Sequence, residues 1–254
     1  MRAALMMKKG LLEVGEIPDP RPRAGEALVE VERAGICGSD LVTLAGGRPK
    51  ELPRVLGHEF AGTLLDIQGN TGYPFKPGDR VVAEPISGCG TCRSCRNGLY
   101  NVCDDRVILG VETDGVFAQY VRVPLENLLK IPDEMSFEEA ALVQPVAVAV
   151  HAFRRTAFRG GSAAAVLGAG PIGALLTMLA RASGGTTVVV SEPNPFRREL
   201  MEKLGFPVID PKAEDPVAAA LSHLGEGDEG FDVVFDAAGT TNSVQQAAEM
   251  TRVG

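Results

Sequence analysis

The segment 160–180 constrains the fold of this 254-residue chain more than any other part of the sequence. It holds 21 residues without a charge, which is the length of a membrane-spanning helix. Five glycines and Pro171 interrupt the run, and this pattern instead predicts a buried strand, a glycine-rich turn and a buried helix. Apolar strands followed by apolar helices are typical of a parallel sheet covered on both faces. We therefore predict an α/β fold and no contact with a membrane.

The predicted turn carries the motif G-x-G-x-x-G. Its glycines are Gly168, Gly170 and Gly173, and Pro171 and Ile172 stand between the last two. In such a motif the first glycine permits a tight turn, the second lets a pyrophosphate approach the backbone, and the third lets the helix pack on the strand. The helix N-terminus attracts the phosphates. We expect these five residues to bind a dinucleotide.

A second predicted strand, 186–191, is followed by Glu192, nineteen residues beyond Gly173. An acidic side chain at this spacing accepts hydrogen bonds from the adenosine ribose, and its charge repels a 2′-phosphate. We therefore expect NAD as the cofactor and NADP as the less favoured one. Arg197 and Arg198, which follow Glu192 in the sequence, leave NADP as the alternative cofactor, because their charges suit a 2′-phosphate. The alternative interpretation of Glu192 is a solvated residue at the end of a strand.

Strands and helices continue to alternate after Glu192. The sequence predicts helices over 196–204, 215–224 and 241–252 and strands over 207–209 and 231–236. Together with the two earlier strands this gives four, whereas a complete dinucleotide-binding fold has six in the order 3-2-1-4-5-6. We expect the second half of this doubly wound fold to be incomplete.

Four cysteines lie close together in the first half of the chain. Cys89, Cys92, Cys95 and Cys103 follow the spacing C-x2-C-x2-C-x7-C. Disulfides are a poor interpretation in a reducing compartment, whereas four thiolates on a short loop form a closed tetrahedral zinc site. An iron–sulfur cluster is the alternative, although the proline that often follows such runs is missing. We expect structural zinc in a lobe over 88–105.

A looser set of possible metal ligands lies upstream. Cys37 and Ser39 follow an alternating, strand-like segment, and His58 and Glu59 precede another one at 60–67. A thiolate, an imidazole and a carboxylate with one open position are what a catalytic zinc requires. Taken alone, however, an isolated cysteine is most often a small buried apolar residue and a lone histidine is often part of the core.

Charge and the N-terminal residues restrict the compartment and the partners. Lysine and arginine total 25 and aspartate and glutamate total 33, so the net charge is −8. An acidic chain is not expected to bind nucleic acid or an anionic membrane. In residues 1–9 the uncharged run between Arg2 and Lys8 is too short for the apolar core of a secretory signal. We expect a cytoplasmic protein.

The segment before the glycine motif is predicted to be helical. Ser136 and Glu139 have the spacing of a capping box, which marks a helix start. We expect one helix from this box to His151. We interpret His151 as a packing residue, and Gln144 lies within the same predicted helix.

These features together resemble the zinc-containing medium-chain dehydrogenase/reductase family, and the resemblance runs along essentially the whole chain. The branch with sorbitol, butanediol and threonine dehydrogenases is the most similar, because of the Cys-Gly-Ser-Asp form at Cys37 and the segment that begins with Gln144 and Pro145. The resemblance implies a GroES-like, β-rich catalytic domain with the zinc lobe over 1–150. It implies a Rossmann NAD-binding domain, incomplete here, over 151–254.

The same resemblance implies site residues. Cys37, His58 and Glu59 would hold a catalytic zinc, so that each chain binds two zinc ions, and Ser39 would take or relay the proton of the alcohol. Gln144 stands where this branch usually has glutamate. The resemblance places it as a fourth ligand, although its neutral amide binds zinc more weakly than a carboxylate. Val42 stands at the position of a common relay histidine, so we expect another route for the proton.

The implied function is hydride transfer between NAD and an alcohol, which is a polyol, a secondary alcohol or a hydroxy-amino acid. The alternative is a noncatalytic, truncated chain that binds zinc and nucleotide without turnover. Family members run further at the C-terminus, so we expect a shortened form of a longer enzyme. For the full-length form we expect a homodimer or a homotetramer.

Overall fold

The computed structural model describes residues 1–47, 51–69 and 72–253. The chain divides into two compact units, Met1–Gln144 and Pro145–Gly254. The domain division predicted at residue 150 lies within a helix that spans this boundary. Among the described residues, no helix combines the length and the apolar character needed to cross a membrane.

The first unit is rich in antiparallel strands. Its strands are β1 (Arg2–Lys8), β2 (Leu11–Glu16), β3 (Glu26–Gly35), β4 (Arg54–Val55), β5 (Glu59–Ile67), β6 (Arg80–Ala83), β7 (Ile86–Ser87), β8 (Val107–Ile108), β9 (Tyr120–Pro124) and β10 (Leu128–Lys130). Its helices are α1 (Gly38–Val42), α2 (Arg93–Arg96) and α3 (Phe137–Ala141), and helical turns lie at Thr43–Gly47, Tyr100–Val102 and Leu125–Asn127. The strands form sheets in the orders β2-β1-β4, β10-β6-β5-β3-β9 and β7-β8.

The five-stranded sheet holds the core of this unit. Along β3 the side chains of Ala27 and Val29 are fully buried and alternate with more exposed neighbours, as expected when successive side chains point to opposite faces. They pack against Leu64 of β5 and Val121 of β9. Full burial of each such valine or leucine stabilises the fold by about 1.5–3 kcal/mol. This packing fixes the ends of β3 and β5, where the candidate site lies.

The second unit is a parallel sheet with helices. It contains α4 (Val143–Arg154), β11 (Ala164–Leu167), α5 (Pro171–Ala182), β12 (Val188–Ser191), α6 (Pro195–Lys203), β13 (Val208–Ile209), α7 (Pro216–Leu221), β14 (Val233–Asp236) and α8 (Thr241–Met250). The strand order is β13-β12-β11-β14, with all pairs parallel. This is the order 3-2-1-4 of the first four strands of a Rossmann fold, so the predicted α/β class is confirmed.

Both faces of the central strand β11 are buried. Val166 packs on one face with Leu176 of α5, and Leu167 packs on the other with Met250 of α8. Successive strand residues point to opposite faces, so a sheet covered on both sides requires an unbroken apolar strand. This explains why the uncharged run 160–180 forms a strand and a helix of a parallel sheet.

The predicted helix from the Ser136 capping box to His151 is wrong in its extent. The box itself forms, because the Glu139 backbone N–H donates to Ser136 Oγ at 3.2 Å and the Ser136 N–H donates to Glu139 Oε2 at 2.8 Å. However, α3 ends at Ala141 and α4 begins at Val143. Pro145 explains the break, because proline has no N–H and its ring collides with the carbonyl four residues earlier.

Candidate active site

Three possible metal ligands converge where β3 and β5 meet. Gly35, the last residue of β3, pairs with Glu59, the first residue of β5. Cys37 lies two residues after the end of β3, as the N-cap of α1, and His58 immediately precedes β5. One ligand atom from each of Cys37, His58 and Glu59 lies within 4.8 Å of the others. The structure therefore brings together residues that are more than twenty positions apart in the sequence.

Asp40 fixes the surroundings of the imidazole. Its Oδ2 accepts the Cys37 N–H at 2.9 Å, and its Oδ1 lies 3.6 Å from His58 Nδ1. That separation is longer than a hydrogen bond. The His58 side chain is 12% exposed, and Nδ1 has no hydrogen-bond partner among the described residues. Asp40 is therefore the carboxylate closest to forming the outer contact that ligating histidines usually make.

The thiol and the imidazole influence each other's protonation. A hydrogen bond with His58 lowers the pKa of Cys37, burial opposes this, and hydrogen bonds with Ser39 add to the lowering. Burial alone would lower the pKa of His58, but Cys37, Asp40 and Glu59 together raise it above its usual value. The surroundings of Cys37 thus favour the thiolate, which is the form that binds metals.

The Glu59 carboxylate lies in a buried position that suits a cation. The residue is 7% exposed, and one of its carboxylate oxygens lies within 4.8 Å of ligand atoms of Cys37 and His58. A buried carboxylate is costly unless a positive group lies beside it. Sulfur, nitrogen and oxygen donors in one cluster are typical zinc ligands. The residues present therefore fit a zinc ion.

A glycine that sequence analysis missed makes room for this carboxylate. A Cβ built on Gly35 would lie 2.4 Å from Glu59 Oε2. Gly35 immediately precedes the Ile36–Cys37 pair, and no sequence signal marks it as part of the site. Its importance is visible only because the strand pairing places it opposite Glu59.

The remaining predicted residues near this cluster differ in position. Ser39 is exposed in the first turn of α1, two residues after Cys37. Val42, at the end of α1, is 65% exposed and has no titratable group. Gln144 is half-buried and is the second residue of α4. It is thus on a helix, whereas the three converging donors lie next to strand ends.

The four lobe cysteines form a second cluster. Their sulfur atoms all lie within 4.8 Å of one another, and Cys92 Sγ and Cys103 Sγ are 3.8 Å apart. A tetrahedral site with bonds of ~2.3 Å has an edge of ~3.8 Å. Backbone N–H groups point at the sulfurs, with Cys95 N 3.4 Å from Cys92 Sγ and Cys92 N 3.4 Å from Cys89 Sγ. The geometry fits a single tetrahedral ion.

The thiols of this lobe do not ionise alike. Hydrogen bonds from the Thr91 hydroxyl and from the Thr91 and Cys92 backbone lower the pKa of Cys89 to about 6. Burial and competition from the neighbouring thiols raise the pKa of Cys95 to about 12. Four thiolates at this spacing therefore require a cation, because a coordinated thiol is deprotonated by the metal.

The glycine motif forms the turn between β11 and α5. Gly168 has φ +95°, a conformation that favours glycine. A Cβ on Gly173 would lie 1.8 Å from the Gly168 carbonyl oxygen, so helix and strand touch there. A Cβ on Gly170 would meet only Arg197 Nη1 at 3.7 Å. The space above Gly170, at the N-terminus of α5 where Pro171 and Ile172 begin the helix, is therefore open to a ligand.

Glu192 is buried at the end of β12 and bonded to the same turn. Its Oε2 accepts the Ala169 N–H at 2.7 Å, and its Oε1 accepts the Asn194 N–H at 2.8 Å. It is 2% exposed, so it is not a solvated strand end. Arg197 Nη1 lies 3.7 Å from Oε2, whereas Arg198 binds Asp210 at 2.8 Å. Of the two arginines, Arg197 is the one beside the candidate dinucleotide site.

Comparison with protein families gives two matches. Residues 23–133 match the family described as alcohol dehydrogenase GroES-like domain. Residues 171–254 match the family described as zinc-binding dehydrogenase. The first match contains both metal-ligand clusters, and the second begins at the N-terminus of α5.

Individual proteins are similar over the whole chain. Sorbitol dehydrogenase of Bacillus subtilis is 36% identical, with 100% of this chain and 73% of the relative covered. L-threonine 3-dehydrogenase of Pyrococcus horikoshii is 38% identical, with coverages of 98% and 72%. A protein of Sinorhizobium meliloti 1021, described as a zinc-binding dehydrogenase and crystallised with NADP, superimposes with a TM-score of 0.93 at 34% identity. That comparison covers 100% of this chain and 74% of the other.

Proposed function

The chain belongs to the zinc-type medium-chain alcohol dehydrogenase family, and from this membership we propose that it is a zinc- and NAD-dependent enzyme acting on CH–OH groups. The resemblance to the sorbitol, butanediol and threonine dehydrogenases is confirmed. The chain is an alcohol or polyol oxidoreductase, and a noncatalytic role is not favoured, because the relatives matched along it are dehydrogenases. The substrates proposed are polyols, secondary alcohols and hydroxy-amino acids.

The observation that carries the proposal is the convergence of Cys37, His58 and Glu59. These three residues would hold the catalytic zinc, and we propose Gln144 as a weak fourth donor that the alcohol oxygen would replace. A zinc ion bound there supplies Lewis acidity, which lowers the pKa of an alcohol oxygen. Three protein ligands leave one position for that oxygen.

The chain's own residues orient the site and handle the proton. Asp40 holds the Cys37 backbone and lies 3.6 Å from His58 Nδ1, and we propose that it orients the imidazole once this contact shortens in the metal-loaded site. Ser39 is exposed beside Cys37, and we propose that its hydroxyl accepts and passes on the alcohol proton. The side chain of Val42 cannot carry that proton further. From Ser39 the proton would leave through water, through the cofactor hydroxyls or through another side chain, and the exposure of Ser39 favours water.

For the cofactor we propose NAD over NADP. The second unit offers the glycine turn of Gly168, Gly170 and Gly173 for the pyrophosphate and the Glu192 carboxylate for the ribose. The charge of Glu192 disfavours a 2′-phosphate, although Arg197 lies close enough to offset part of it. The nicotinamide, when bound, accepts or donates the hydride. We expect NADH to bind at least ~tenfold more tightly than NADPH, and equal affinity by fluorescence titration would contradict the preference.

In the cysteine lobe we propose a structural zinc, which gives two ions per chain. Four ligands close the coordination shell and leave no position for substrate. The lobe is short and contains few buried apolar side chains, so the metal would supply much of its stability. The iron–sulfur alternative predicts a visible charge-transfer absorption, which a zinc lobe lacks.

Turnover tests the proposed function directly. The purified chain is incubated with NAD and a panel of polyols, secondary alcohols and hydroxy-amino acids, and NADH is followed by absorbance. We expect NADH formation by the wild type and its loss in Cys37→Ala. Cys89→Ala, which disrupts the lobe, is the matched cysteine control and should reduce stability first. Zinc and nucleotide binding without NADH from any alcohol would favour the noncatalytic alternative.

Several properties stay predictions from the sequence. These are the domain division at residue 150, the cytoplasmic location, and the homodimer or homotetramer of the full-length form. Size-exclusion chromatography with light scattering would measure the oligomeric state.

A further inference from the structure

Gly35 occupies a position where a side chain would displace a proposed zinc ligand. A Cβ built there would lie 2.4 Å from Oε2, 3.2 Å from Cβ and 3.5 Å from Cδ of Glu59. All three contacts are with the same side chain. The overlap with the carboxylate oxygen cannot persist, because real Cβ atoms essentially never come within 3.0 Å of another heavy atom. The oxygen ends a flexible side chain, so the Glu59 carboxylate is the group that would move.

The backbone at Gly35 does not itself require glycine. Its φ lies outside the left-handed region, and it pairs within the β3–β5 ladder like an ordinary strand residue. Alanine is therefore conformationally allowed, and the space taken by Glu59 is the remaining reason for a glycine. Gly62 in β5 is different, because a Cβ there would lie 2.1 Å from the Glu30 carbonyl oxygen and would disturb the sheet.

We propose that Gly35 is a positioning residue, whose missing side chain leaves the space that holds the Glu59 carboxylate beside Cys37 and His58. The proposal rests on the zinc site proposed above. Glu59 is 7% exposed, and its carboxylate lies directly against Gly35, so a side chain at residue 35 would change the direction of that carboxylate. Gly35 forms one wall of that packing, opposite Glu59 in the ladder.

Metal affinity in a double-mutant cycle tests this inference. The chain is treated with a chelator that empties the three-donor site, and Co²⁺ is titrated back while the ligand-field absorption is recorded. The variants are Gly35→Ala, Glu59→Ala and the double variant. Gly15→Ala is the matched control, because this strand glycine has only Leu5 Cδ1 near its Cβ position, at 3.5 Å.

We expect Gly35→Ala to weaken Co²⁺ binding by about 10–100-fold, as loss of outer contacts around metal ligands does. In the Glu59→Ala background the same substitution should change affinity by less than about twofold, because the carboxylate it displaces is gone. Gly15→Ala should bind like the wild type. A similar loss in both backgrounds would overturn the proposal, because it would show that alanine distorts the strand itself.

Thermal unfolding of the same variants covers the case in which Gly35→Ala does not fold. If the double variant folds and Gly35→Ala alone does not, the proposal is supported, because removal of the Glu59 carboxylate has then removed the clash. Failure of both would overturn it. A wild type that binds no Co²⁺ at these donors would instead overturn the proposed zinc site, and the inference with it.

Discussion

Replacement of Glu192 by alanine is predicted to destabilise the second unit as well as to weaken dinucleotide binding. The carboxylate accepts backbone N–H groups from Ala169 at 2.7 Å and from Asn194 at 2.8 Å, on both sides of the β12 end. The Ala169 hydrogen bond is buried, and the Asn194 bond is partly buried. Glu192 therefore joins the glycine turn to the start of α6.

The magnitude follows from these two bonds. A buried N–H left without a partner costs about 1–3 kcal/mol, whereas the partly buried one can regain water at about 1 kcal/mol or less. We expect Glu192→Ala to lower the free energy of unfolding by about 1–4 kcal/mol. Glu192→Gln keeps one acceptor oxygen and should lose about half of that.

Urea denaturation followed by far-ultraviolet circular dichroism measures the loss, and NADH fluorescence measures binding. Glu199→Ala is the control, because that carboxylate is exposed and pairs with Lys203 on the same helix, so its loss should cost less than about 0.5 kcal/mol. Full stability of Glu192→Ala with loss of NADH binding would refute the structural part of the reasoning and leave Glu192 as a ligand contact alone.

Three further predictions concern other parts of the chain. Gly173→Ala should lower the free energy of unfolding by at least about 3 kcal/mol, because the new Cβ would lie 1.8 Å from the Gly168 carbonyl oxygen. By contrast, Gly170→Ala should keep the thermal unfolding midpoint of the wild type but bind NADH at least ~tenfold more weakly. Asn127→Ala should lower the free energy of unfolding by about 1–3 kcal/mol, because Asn127 Nδ2 donates to the carbonyl oxygens of Glu84 and Ile86 and to Ser87 Oγ, next to the lobe. An unchanged denaturant midpoint would count against this prediction. Asp79 has a pKa below its ordinary value. Burial alone would raise this pKa, but the Lys130 ammonium at 2.7 Å and the Lys76 backbone N–H stabilise the charged carboxylate and lower it. The Asp79 carboxylate therefore contributes its full stabilisation above its ordinary pKa, and this stabilisation is lost as the pH falls through the lowered pKa of the folded protein. Asp79→Asn should cost about 1 kcal/mol near pH 6 and little near pH 2. Urea unfolding midpoints at the two pH values measure the difference.

Much of the second unit could be predicted from the sequence, because its signals are local. The apolar run before Gly168, the spacing to Gly173 and the alternation after Glu192 each depend on neighbours within a few residues. The parallel order β13-β12-β11-β14 follows from that alternation. The boundaries differ from the predicted ones by up to three residues, as helix and strand ends usually do.

The first unit shows what local signals miss. The residue types at Cys37, His58 and Glu59 are visible in the sequence, but their convergence depends on the β3–β5 pairing and on packing around Val29 and Leu64. Contacts that depend on strand register have no local signature. For the same reason, the space at Gly35 could not be foreseen.

Two details were hidden by competing local effects. The capping box at Ser136 correctly marks a helix start, yet Pro145 divides the expected helix in two. The sequence predicts that Glu192 binds the cofactor, but its bonds to two backbone N–H groups appear only in the folded turn. A buried carboxylate can serve both the fold and a ligand, because each oxygen has a second lone pair.

Zinc content per chain tests the central claim most directly. The protein is purified without added metal, and zinc is measured by elemental analysis in the wild type, Cys37→Ala and Cys103→Ala. The account predicts two ions in the wild type and one in Cys37→Ala, in which the closed cysteine lobe remains. Cys103→Ala should lose the lobe ion. One ion in the wild type, or two in Cys37→Ala, would contradict a catalytic zinc held by Cys37, His58 and Glu59.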